Sequence, residues 1–172
     1  MIKFINNLHL VINMSEPKRI PNINNYIFEI IDNELILTPK KKYITESELA
    51  LTDIYGSEIQ KCLIKNGDEI ISSRIATPSR RLRYARVLID IWKSIPIQVI
   101  LDNSKFNFKL TKEAGKGYQW CPEINMSFST RDAKRSLKEI INMIKVNKYT
   151  LDISIKLKKE AEKEAEIIYF KI

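Results

Sequence analysis

A chain of 172 residues with 44% hydrophobic and 29% charged residues has the composition of a globular protein, and its length lets it bury roughly two thirds of its unfolded surface without a disulfide or metal staple. Its net charge of +8 is unevenly placed: residues 1–70 carry 8 Lys or Arg against 10 Asp or Glu, residues 71–157 carry 17 against 7, and residues 158–172 carry 4 against 4. One histidine, four glycines and two widely spaced cysteines exclude a Ser-His-Asp triad, a multi-histidine metal site, a Gly-rich nucleotide loop and a disulfide framework.

The opening stretch MIKFINNLHLVINM carries a single Lys near its start, is interrupted by Asn6, Asn7 and His9, and runs into SEPKR instead of a small-residue cleavage site. It reads as a strand or hairpin about Asn6-Asn7 rather than a signal peptide, with His9 as a packed side chain. No apolar run approaches the roughly 18 residues of a membrane span. The expectation is a cytoplasmic, intracellular protein with no membrane partner, its Cys62 and Cys121 free thiols in a reducing compartment.

Tyr26 to Pro39 reads as two apolar strands about Asp32-Asn33, the clearest hairpin in the chain. Thr45 with Glu48 three residues on is a capping box and predicts a short helix over TESELALTD. Ser57 predicts a second helix over SEIQKCLIKNG, with Ile59, Cys62 and Leu63 on one face and Asn66-Gly67 at its end. Thr77 as N-cap and Pro78 at the first helical position predict a third, in TPSRRLRYARVLIDIW; Leu82, Ala85, Leu88, Ile89 and Trp92 share its apolar face, opposite Arg83, Arg86, Asp90 and Lys93.

After Pro96, IPIQVILDNSKFNFKLT predicts a hairpin about Asp102-Asn103, with Lys105, Asn107 and Lys109 alternating with Phe106 and Phe108. KEAGKGYQWCPE reads as a basic loop and INMSFST as a strand leading into a helix capped by Ser129, with Asp132 three residues on. Ala133, Leu137, Ile140, Ile141 and Ile144 line that helix's apolar face, opposite Arg131, Lys134, Arg135, Lys138 and Lys145. Asn147 ends the helix, and YTLDISIKL, whose Leu151, Ile153 and Ile155 alternate as in a half-buried strand, pairs with EIIYFKI across the charged connector KKEAEKEAE. The expected class is α+β: a single compact domain, 1–172, of several antiparallel β-hairpins in a mixed sheet or partly open barrel, packed with three or four helices.

Seven of the eight arginines fall between Arg74 and Arg135, the footprint of a surface that meets a polyanion. Arg80 and Arg81 crowd the expected positive end of the Thr77 helix, at a cost of about 0.3–1 kcal/mol each that a bound phosphate would reverse. The expected function is a non-catalytic nucleic-acid-binding domain, DNA favoured over RNA. Phosphate contacts are expected from Arg80, Arg81, Arg83 and Arg86 at that helix start, from Arg131, Lys134 and Lys138 on the second basic helix, and from Lys105. Asn107 and Gln119 are the candidate base readers, and Tyr118 and Trp120 could stack on an unpaired base or anchor their loop in the core.

A homodimer is compatible with this reading, and no cofactor is expected. One alternative is a Mg-dependent nuclease of restriction-enzyme type using Asp102 and Lys109, although Asn107 stands where the Asp…(Asp/Glu)-x-Lys pattern needs a carboxylate. Another is a basic interaction module or inhibitor that docks an acidic protein.

Overall fold

The computed structural model describes residues 2–5, 9–13, 26–31, 34–112, 117–129, 131–158 and 166–172. The turn residues Asn6-Asn7 and Asp32-Asn33, the side chain of His9, residues 113–116 of the basic loop and most of the KKEAEKEAE connector lie outside them. The backbone divides into two units, 1–42 and 43–172.

The first unit is an antiparallel sheet of β1 (Ile2–Ile5), β2 (His9–Asn13), β3 (Tyr26–Ile31) and β4 (Glu34–Pro39), in the order β1-β2-β4-β3. Ile5 opposite His9 and Ile31 opposite Glu34 close the two hairpins expected from the turn signals.

The second unit is α+β. Its larger sheet is mixed and open, in the order β5-β12-β11-β6-β7, built from β5 (Tyr43–Ile44), β6 (Glu58–Asn66), β7 (Glu69–Ile75), β11 (Thr150–Lys156) and β12 (Ile167–Lys171). Only β5 pairs parallel. Register carries one row of side chains across the inner face, from Ile44 through Phe170, Ile153 and Cys62 to Arg74. The next row runs Leu151, Ile64, Ser72. Both rows are apolar until the edge strand β7, where Ser72 and Arg74 make the same face polar.

A smaller antiparallel sheet, β8-β10-β9, joins β8 (Phe108–Lys109), β9 (Tyr118–Cys121) and β10 (Met126–Ser129). The helices are α1 (Glu46–Leu51), α2 (Tyr84–Lys93), α3 (Ile97–Asn103) and α4 (Ala133–Val146). The predicted capping box of α1 is present: Glu48 N donates to Thr45 Oγ1 at 3.2 Å and Thr45 N donates to Glu48 Oε2 at 2.7 Å. Helix α2 packs on α4 and on β6 and β7. Trp92, 1% exposed, meets Phe106, Phe108 and Phe128 edge-on at 5.1–5.7 Å, tying α2 to the smaller sheet.

Several local readings are corrected. Residues 58–66, expected as a helix, are strand β6: Cys62 and Ile64 alternate inward, and Gly67 (φ +57°) turns the chain into β7 instead of ending a helix. Residues 97–103, expected as a hairpin, are helix α3. There Gln98 Nε2 donates to Asp102 Oδ1 across one turn at 2.7 Å, and Asn103 Nδ2 donates to the Val99 carbonyl at 2.9 Å. Of the Lys105–Lys109 alternation only Phe108 and Lys109 are strand.

Thr77 and Pro78 do not open α2. They form a tight turn in which Thr77 and Arg80 exchange both backbone hydrogen bonds, at 3.0 and 3.1 Å, because proline suits a turn's second position as well as a helix start. Leu82 then bridges to Ile59, keeping the chain extended until Arg83, the N-cap, which makes no side-chain capping bond. The cap of α4 is Asp132, which accepts from Arg135 N at 2.8 Å; Ser129 ends β10 instead.

Candidate nucleic-acid interface

The predicted two-faced character of α4 is realised: Leu137, Ile140, Ile141, Met143 and Ile144 are buried, while Lys134, Arg135, Lys138 and Lys145 are exposed. Asn142 Nδ2 donates to the Asn103 carbonyl at 2.9 Å, tying α4 to the end of α3. The chain leaving α3 therefore passes over α4, and the Lys105 amide donates to Glu139 Oε2 at 3.1 Å.

A cavity of about 450 Å³ lies between this segment and the helix, lined by Lys105, Phe106, Arg131, Arg135, Lys138, Glu139 and Asn142. Its floor is apolar at Phe106, with the Arg131 guanidinium carbon 5.9 Å from the ring centroid. Its rim is cationic. Arg135 is ion-paired to Asp132, whose Oδ2 is 3.6 Å from its Nε. Lys138 also borders a second cavity, of about 420 Å³, with Lys134, Asp53 and Tyr55, and a groove of about 280 Å³ against α1. Lys145, further along, is held by Glu46 at 2.6 Å.

The structure thus brings together Lys105, Arg131 and Lys138 of the predicted set, with Lys134 on the adjoining rim and Arg135 joining them. Arg80, Arg81, Arg83 and Arg86 line none of these three cavities. Arg80 and Arg81 precede α2 in its extended lead, so the dipole argument for a phosphate between them falls away. Arg81 contacts Glu58 at 3.1 Å.

Arg86 is committed within the protein, donating to Glu123 Oε1 at 2.8 Å, with its Nε 3.7 Å from Asp90. Glu123 is held down to about 2 by its own backbone amide, by the Cys121 thiol and by Arg86. Of the candidate base readers, Gln119 is exposed on β9 opposite Phe128, and the exposed Asn107 has its backbone amide and carbonyl both engaged by Ser129. Lys109 sits over the Tyr118 ring at 4.5 Å, and Trp120 is half-buried on β9.

The proposed nuclease pairing of Asp102 with Lys109 loses its premise, the shared hairpin, because Asp102 lies in the last turn of α3. Comparisons with protein-family models, curated proteins and solved structures find no match to this chain.

Glu139 escaped the sequence reading. At 100° per residue it lies well off the predicted stripe of Leu137, Ile140, Ile141 and Ile144, on the flank beside Met143, and its burial is completed by the Lys105–Phe106 segment laid over it. No helical periodicity contains that signal. The Arg74–Asp90 pair was missed for the same reason, since pairing alone puts Arg74 on the inner face of β7.

Proposed function

We propose that this chain binds nucleic acid through the N-terminal half of α4, contacting phosphates with Lys105, Arg131, Arg135 and Lys138. The carrying observation is the convergence of these four cations on one cavity with an aromatic floor. A charge excess of +10 over residues 71–157 would draw a polyanion toward this region, and guanidinium forks suit phosphate oxygens. A concave site with Phe106 at its base favours a flexible strand over a rigid duplex, whose bases stay stacked out of reach.

The test is fluorescence anisotropy with single-stranded DNA, single-stranded RNA and duplex at two salt concentrations. Arg131→Ala/Lys138→Ala should weaken single-strand binding and flatten the salt slope by about 1.4, on the scale of about 0.7 per phosphate contact. Arg80→Ala/Arg81→Ala removes the same charge away from the cavity and should do markedly less. Equal losses for the two pairs would reduce the effect to net charge, and unchanged affinity and slope in Arg131→Ala/Lys138→Ala would overturn the proposal.

A further inference from the structure

Inside the cationic cavity lies a carboxylate that the fold does not fully use. Glu139 is 2% exposed, its Oε2 accepts from the Lys105 amide, and its Oε1 has no hydrogen-bond partner among the described residues. Arg135, one turn before it, instead keeps its ion-pair contact with Asp132. A buried carboxylate oxygen without a donor is costly, and native structures normally satisfy such an atom. Phosphate recognition does not account for it, because a negative group beside a phosphate site repels the ligand's charge. A ligand that brings N–H donors together with its phosphates would need both halves of this cavity.

Among the nucleobases, guanine meets that requirement best. Its pairing edge presents two adjacent donors, the ring N1–H and the exocyclic amino group, which a carboxylate accepts in parallel. Cytosine and adenine offer one amino donor beside an acceptor nitrogen, and thymine or uracil offers one donor between two carbonyls that a carboxylate repels. The cavity of about 450 Å³ falls within the range of about 300–1,000 Å³ typical of small-molecule sites, room for a base with its sugar.

Resting on the nucleic-acid reading above, we infer that this cavity receives one unpaired guanine of a single strand. Glu139 Oε1 accepts from the guanine edge, and Oε2, which retains a second lone pair, shares the adjacent donor while keeping the Lys105 amide. Lys105, Arg131 and Lys138 hold the flanking phosphates, and the Arg131 guanidinium, already near Phe106, lies where it can stack on the base. Glu139 is thus the specificity-determining residue and the cations are sequence-blind.

The test uses labelled six-nucleotide thymidine strands carrying one central guanine, adenine, cytosine or thymine, titrated against the full chain. The wild type should bind the guanine strand about tenfold or more tighter than the all-thymine strand. Glu139→Gln should compress that preference to within about threefold with an unchanged salt slope, because the amide presents one acceptor and one clashing donor. Guanosine monophosphate should displace the guanine strand only at concentrations far above that strand's own Kd; displacement at comparable concentrations would make the free nucleotide the ligand and overturn the single-strand assignment.

Equal affinity of the wild type for all four strands, or a guanine preference that survives in Glu139→Gln, would overturn the guanine site while leaving backbone binding intact. Failure to bind any strand would instead overturn the nucleic-acid reading itself. Should Glu139→Gln fail to fold, the wild-type ranking of the four strands decides alone.

Discussion

Arg74 on the edge strand β7 grips Asp90 on α2 with two parallel hydrogen bonds, from Nε at 2.7 Å and from Nη2 at 2.9 Å, while Ser72 Oγ donates to the same carboxylate at 2.8 Å. Register places Ser72 and Arg74 on the sheet's inner face, so the polar edge of that face is matched by the one buried acid of α2. Burial alone would push the Asp90 carboxyl up. The bonds from Arg74 and Ser72 and the charges of Arg74 and Arg86 outweigh it and hold the group below the ordinary aspartate value.

A carboxyl with a lower pKa folded than unfolded stabilises the fold above its unfolded value, about 3.9, and loses that contribution as pH falls through the folded value. Arg74→Ala leaves Asp90 with Ser72 and the more distant Arg86, so it should cost about 1–3 kcal/mol at pH 7. The deficit should shrink as pH falls below the unfolded aspartate value, about 3.9, where the unfolded chains take up the proton first and the wild-type carboxyl follows only at lower pH. Urea melts of both proteins between pH 7 and pH 3 measure this. A deficit that did not change with pH would detach it from the Asp90 charge.

Both thiols sit where the proton is retained. Burial, with the charges of Asp90 and Asp152, pushes Cys62 up to about 12. Burial and the bond that Cys121 donates to Glu123 at 3.2 Å push Cys121 up to about 11. The folded chain at pH 8 should therefore react with neither equivalent of a thiol reagent on the timescale in which the urea-unfolded chain gives both.

The unfolded thiols ionise near about 8.5 while the folded ones stay protonated, so this contribution is full below about pH 8.5 and is lost as pH rises toward 11–12. Cys62→Ala/Cys121→Ala should flatten the alkaline limb of the stability curve, read as the urea midpoint from pH 8 to pH 10.5. A limb as steep as that of the wild type would assign it to other groups.

Where the deciding interaction is local, the fold was legible in the sequence. The Thr45–Glu48 box, the apolar stripe of α4 from Leu137 to Ile144, and the alternation of Leu151, Ile153 and Ile155 each lie within one element, and each is realised. The failures are residues whose local chemistry fits two outcomes. Asn66-Gly67 serves a helix end or a hairpin turn, Thr77-Pro78 serves a helix start or a turn, and Ile97–Asn103 has strand-like Ile and Val but closes as a helix once Gln98 bonds Asp102. Pairing of β6 with both β7 and β11 decides the first case, and the Leu82–Ile59 bridge decides the second. The candidate site was half legible: Arg135 and Lys138 stand on the periodic polar face of α4, but Lys105, Arg131 ahead of the Asp132 cap, and the buried Glu139 join them only through packing.

The same packing makes Trp92 the support of that wall. Its ring is 1% exposed and stands edge-on to Phe106 at 5.7 Å, and Phe106 is the floor of the cationic cavity. Trp92→Ala should cost about 3–5 kcal/mol, the usual loss for deleting a large buried aromatic. Trp92→Phe should cost clearly less. It keeps most of the apolar volume and removes an indole N–H that has no hydrogen-bond partner among the described residues, so no bond is lost with it. Because Trp120 is the only other tryptophan and is half-buried, the fluorescence of Trp92→Phe isolates Trp120 and should be red-shifted from the wild type. Equilibrium urea unfolding of the three proteins ranks the costs. Equal destabilisation by the two substitutions would mean that the indole N–H finds a partner, and that the edge-on aromatic packing contributes little to holding Phe106 in place.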